Sequence, residues 1–171
     1  MICQLLTTTL EERFALLQQT IAEGLRSPLT AQVVAVIESQ NPSRMGAQIA
    51  ALELVQALPI VGDVPGRDCV ESVYKTLLNG GDCSSKSCVL IVLWLLIHRS
   101  AMRQHRAKGW AEMPIQLALV WEHSGGLVDH VRVDWSGQIV DPLRPLPIGA
   151  RSPSWVPEWV KLDPVANPLA R

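Results

Sequence analysis

Phenylalanine and tyrosine are almost missing from this chain, one of each in 171 residues, so its aromatic content rests on six tryptophans. An excess of charge of either sign is also missing. Fifteen Lys and Arg stand against 16 Asp and Glu, a formal net charge of −1, which leaves no electrostatic footprint for nucleic acid. The one basic cluster, "HRSAMRQHRAKG" (98–109), reads as a solvated helix end. No apolar run approaches the ~20 residues of a membrane span; the longest is Cys88–Ile97. The start, "MICQLLTTTLEER", has no basic stretch ahead of its short apolar patch, so no signal peptide is read. The expectation is a soluble, cytoplasmic protein with no membrane or nucleic-acid partner. In that setting the four cysteines, Cys3, Cys69, Cys83 and Cys88, are expected as thiols rather than as a disulfide framework. Repeats and low-complexity tracts are absent too. With 48% apolar and 18% charged residues, the chain can bury one domain-sized core.

What is present divides into helices and then strands. Leu10, Phe14, Leu17, Ile21 and Leu25 recur at spacings of three and four, which predicts an amphipathic helix over 8–25. "SPLT" breaks it, and Thr30 is a candidate cap for a second helix through Glu38. A third helix is expected over 44–58, after "NPSR". The stretch "LPIVGDVPGRD" (58–68) reads as loop and 69–78 as a short helix. Residues 83–105 form the strongest helix pattern. Its middle is apolar on all sides, which implies burial at the centre of the fold. Three strands follow, "IQLALVWE" (115–122), "LVDHVRVDW" (127–135) and "QIVDP" (138–142). The proline-rich tail, 143–171, is expected to wrap the surface with Trp155 and Trp159 as anchors. The layout is α+β: N-terminal helices over 1–57, a core over 58–142 with a central buried helix on a small antiparallel sheet, then the tail.

The chemistry centres on "GGDC" (80–83). If Asp82 caps the central helix, Cys83 lies in its first turn, where unpaired N–H groups and the helix dipole favour a thiolate. Gly80 and Gly81 would permit a tight turn and close approach by a substrate. The Cys83 amide becomes a candidate oxyanion donor. The competing reading is a buried cysteine in a core helix.

The hairpin bears on that choice. With Ser136-Gly137 as a two-residue turn, Trp135 pairs with Gln138, Asp134 with Ile139, Val133 with Val140 and Arg132 with Asp141. Val131, Val133 and Val140 then face the core, while His130, Arg132 and Asp141 share the other face. His130 and Asp141 become diagonal neighbours, within reach of an imidazole–carboxylate hydrogen bond. A cysteine at a helix start with a histidine oriented by an aspartate is the nucleophile, base and orienter set of acyl transfer. A one-residue slip would send Asp141 to the wrong face.

"GGDCSSKS", "DHVRV" and "GQIVDP", in that order, resemble the transglutaminase-like superfamily of papain-type cysteine enzymes. The upstream "VGDVPGRDCVESVYKTLLNGGDC" is similar to bacterial and phage-associated members. The resemblance covers roughly 58–142 and implies Cys83 as nucleophile, His130 as general base and acid, and Asp141 as orienter. It implies reaction through a thioester on a peptide or protein substrate, without metal or organic cofactor. Hydrolysis, by a protease or amidase, is favoured over transamidation because the chain is small. Relatives often carry a second oxyanion donor upstream, and "ALPIVGD" offers none; Gln56, Asn79 and Trp135 are the substitutes. A non-catalytic version of the fold, a phage or prophage structural, assembly or binding protein with a phage or cell-wall partner, is the alternative. A peptidoglycan amidase of the NlpC type is a third reading, disfavoured by "VDP" where a second polar strand residue is expected.

The remaining candidates read plainly. Cys88 is expected in the core. Cys69, Cys83, Cys88, His98 and His105 fit no finger or ribbon spacing, so no metal site is expected. His98, His105 and His123 read as surface residues. Asp129 faces away from His130, and Asp163 is too distant to orient it without a fold-back. Arg132 could bind a substrate carboxylate, but the plainer reading, a pairing with Asp141 or Asp134, is preferred. Lys86 and Ser87 are expected on an exposed or substrate-facing first turn.

Overall fold

The computed structural model describes residues 2–4, 10–62, 68–108, 117–124, 127–135, 138–143 and 157–158. In chain order the elements are β1 (Ile2–Gln4), α1 (Leu10–Gly24), α2 (Pro28–Gln40), α3 (Arg44–Ala57), β2 (Asp68–Val70), α4 (Val73–Asn79), α5 (Cys83–Ala107), β3 (Leu117–Ser124), β4 (Leu127–Trp135), β5 (Gln138–Val140) and β6 (Pro157–Glu158). This is an α+β arrangement. One sheet pairs β1 with β2 antiparallel; the other has the order β5-β4-β3-β6.

The helices start and stop for identifiable reasons. α2 begins at Pro28, whose fixed φ suits the first helical position. Ser27, not Thr30, holds the N-cap position. Thr30 lies one turn inside, and its hydroxyl donates to the carbonyls of Gly24 and Ser27, both at 2.7 Å, joining the end of α1 to the start of α2. α3 starts with Ser43, whose Oγ accepts from Gly46 N–H at 3.0 Å. α4 is capped by Ser72 and ends at Gly80, with φ of 86° and its N–H donating to Thr76 O. The expected helix over 69–78 is therefore shortened at its front, because residues 68–70 pair with the N-terminal strand as Ile2↔Val70, Cys3↔Cys69 and Gln4↔Asp68.

α5 is the centre. Every residue from Ser84 to Trp94 is buried, and α1, α2, α3, α4 and β4 all pack on it. Trp94 is enclosed between layers. Its indole N–H donates to Gln48 O on α3 at 2.8 Å, and its ring meets Trp135 of β4 at 4.8 Å, tilted by 46°. By length and composition Cys83–His105 could cross a membrane, but 67% of that window is buried inside the fold, as in the core helix of a folded domain.

The hairpin register is the expected one: Val133↔Val140, Asp134↔Ile139 and Trp135↔Gln138. Val131, Val133 and Val140 are buried against α5. The tail beyond Leu143, apart from the backbone of Pro157–Glu158 beside β3, lies outside the described residues, and with it Trp155, Trp159 and Asp163.

Candidate functional site

α5 begins at Cys83, and Asp82 caps it. Asp82 Oδ1 accepts from Ser85 N–H at 2.8 Å, Oδ2 accepts from the Ser84 hydroxyl at 2.7 Å, and the Asp82 carbonyl accepts from Lys86 N–H. Cys83 is half-buried at the first helical position, unlike Cys88, which lies fully inside. Burial, with Asp82 adding to it, pushes the Cys88 thiol well above the usual cysteine range, so Cys88 stays neutral packing. None of Cys69, Cys83 and Cys88 is in a disulfide. The side chain of Cys3 is outside the described residues.

The turn ahead of Cys83 is tight for a reason other than substrate access. Gly81 N–H donates to Pro59 O at 3.0 Å, and Val61 N–H donates to Gly81 O at 3.2 Å, so the chain after α3 lies directly along Gly80-Gly81. A Cβ on Gly80 would fall 2.1 Å from the Pro59 carbonyl oxygen. The close approach that these glycines allow is made by the chain's own backbone.

The first turn of α5 is not exposed. Lys86 is 0% exposed and Ser87 is buried beside it. Lys86 Nζ donates to Leu58 O at 2.6 Å. Desolvation lowers its pKa, against the opposing attraction of Asp141. Ser87 Oγ donates to Val131 O at 3.3 Å. The expectation of an exposed turn failed because the 58–60 segment and β4 close over it.

Asp141, just past β5, is the hub of the polar contacts. Its Oδ2 lies 3.4 Å from Arg132 Nε, with the two side chains 1% and 6% exposed, and its Oδ1 accepts from Leu143 N–H at 2.8 Å. Gln56 Nε2 at the end of α3 donates to Asp141 O at 2.9 Å. The Arg132–Asp141 pairing is the one expected from the register. Of the candidate oxyanion donors, Gln56 thus ties α3 to β5, Trp135 packs on Trp94, and Asn79 is exposed at the end of α4. His130 is on β4 opposite Glu122. Its side chain lies outside the described residues, as do those of Asp129 and His123.

Ser87 nevertheless links the two halves of the candidate constellation. Cys83 and Ser87 are one turn apart on a single face of α5, and Ser87 touches β4 at Val131, the residue after His130.

No family model matches the chain. No curated protein and no solved structure matches it either.

Among the described residues no three His, Cys, Asp or Glu side chains group as a metal set would. His98 is half-buried rather than on the surface, with Nδ1 3.5 Å from an Arg44 Nη. Burial first, then the charges of Arg44 and Arg99, hold its pKa below the ordinary histidine value. Folding therefore favours the neutral ring. Its stabilising contribution is in place above about pH 6.5, the unfolded value, and is lost as pH falls towards the lower folded value. The urea midpoint should drop between pH 7.5 and 5, and His98→Asn should flatten that part of the profile.

Proposed function

We propose that this chain is a cysteine-dependent acyl-transfer enzyme of transglutaminase-like, papain-type architecture, acting on a peptide or protein amide. Cys83 thiolate attacks the carbonyl carbon, the C–N bond breaks, and His130 protonates the leaving amine. Water, activated by His130, then hydrolyses the thioester and restores the thiol. Asp141 orients His130. The observation that carries this reading is the half-buried Cys83 at the capped start of the central helix, one turn from the Ser87–Val131 contact beside His130.

The test is thiol reactivity together with turnover. Iodoacetamide at neutral pH should label Cys83 faster than Cys3, Cys69 and Cys88. Cys83→Ala should lower peptide or glutamine-amide hydrolysis by at least about a thousandfold, as loss of a nucleophile does. Equal labelling of the four thiols, with turnover unchanged in Cys83→Ala, ends the enzyme reading.

A second reading, the same fold as a non-catalytic phage structural, assembly or binding module, is favoured by one observation. Asp141 is engaged by Arg132 and Leu143, and Gln56 is engaged by the Asp141 carbonyl, so both have architectural work without catalysis.

A further inference from the structure

We infer that Lys86 is a positioning residue, a buried ammonium one helical turn below Cys83 that stabilises the Cys83 thiolate and clamps the 58–60 segment against the glycine turn. The inference rests on Cys83 being the reactive thiol. Residues three apart on a helix are neighbours, with Cβ atoms about 5–6 Å apart. A cysteine preceded by a carboxylate needs such a charge. Asp82 caps α5 from the position next to Cys83, and its negative charge opposes a thiolate there. The helix terminus contributes only a partial positive charge, and much of that is satisfied by Asp82 itself.

Lys86 is enclosed, so it is no nucleophile and meets no substrate. One of its N–H bonds is directed at Leu58 O, and Leu58 leads into Pro59, whose carbonyl receives Gly81 N–H. One side chain thus fixes the segment that shapes the approach to Cys83. Among the described residues, the titratable groups around this pair come from several elements. Asp82 caps α5 and Cys88 lies along it. Glu71, whose N–H donates to Ser85 Oγ, and its partner Lys75 come from the α4 side. Arg132 and Asp141 come from β4 and the end of β5. Asp141 pairs with Arg132 and also attracts the Lys86 ammonium, so it helps to keep Lys86 charged beneath Cys83.

The experiment follows Cys83 alkylation by iodoacetamide against pH, resolved by peptide mass, in the unaltered protein and in Lys86→Gln. Glutamine keeps a donor for Leu58 O and removes the charge. The expected result is a higher pH midpoint in the variant and about tenfold slower labelling at pH 7, one pKa unit. An unchanged midpoint in a folded Lys86→Gln overturns the proposal while leaving the nucleophile reading intact. Slow labelling of Cys83 in the unaltered protein, no faster than an ordinary thiol, overturns both. Should Lys86→Gln not fold, the same coupling is read without a variant. Carbamidomethylation of Cys83 removes the thiolate, so by reciprocity the Lys86 pKa, followed by carbon NMR of its Cε, should fall. An unmoved Lys86 titration overturns the proposal.

Discussion

Asp141→Asn should lower the free energy of unfolding by about 3–5 kcal/mol, the range found when a buried ion pair loses one partner. The substitution changes no volume to speak of, and Asn can still accept from Leu143 N–H. What it removes is the charge facing Arg132, whose side chain is 6% exposed. Lys86 loses an attractive neighbour at the same time. Denaturant titration monitored by tryptophan fluorescence reads the effect, since Trp94 lies against Trp135 on β4, the strand that carries Arg132. The matching control is Arg132→Met with Asp141→Leu, which removes both charges. It should cost less than Asp141→Asn alone, because neither buried charge is then left uncompensated. A single-variant cost under about 1 kcal/mol, the level of an exposed pair, would show that the pair is hydrated after all. Stability must be measured before any loss of turnover in an Asp141 variant is assigned to the orientation of His130.

Gly80→Ala should be of similar size, about 3 kcal/mol or more. Two effects add. At φ 86° and ψ −172° only glycine is unstrained, and another residue costs roughly 1–3 kcal/mol. The new methyl would also displace the Pro59 carbonyl, 2.1 Å from its Cβ, and with it the hydrogen bond from Gly81 N–H. Since this bond sets where 58–60 lies, Gly80→Ala should also alter Cys83 alkylation at pH values where the variant is still folded. A urea midpoint within error of the unaltered protein would refute the packing described for this turn.

Local features were the legible ones. Asp before Cys, ahead of an all-apolar stretch, marks a helix start whatever the rest of the chain does, and Asp82 caps α5 as read. The hairpin register followed from a short turn and the two-residue period of strands. Contacts across long sequence separations were not legible. The pairing of Ile2–Gln4 with Asp68–Val70 joins two three-residue strands whose composition announces nothing. Lys86 reads as an exposed first-turn residue from its type alone; its burial depends on a backbone carbonyl at Leu58, which no residue pattern advertises. Thr30 reads as a cap by residue type alone, whereas its hydroxyl donates to the carbonyls of Gly24 and Ser27 from inside the helix.

The enclosure of α5 has a consequence for motion. A helix contacted by four others and by β4 cannot loosen alone; releasing it breaks packing contributed by segments from residue 10 to residue 135. Its amides from Val89 to Leu93 should therefore exchange with deuterium only when the whole domain opens, and their protection should equal the global unfolding free energy. Cys83, at the end of so rigid a rod, is a fixed reference point, and whatever rearrangement a ligand needs must come from the segments around it.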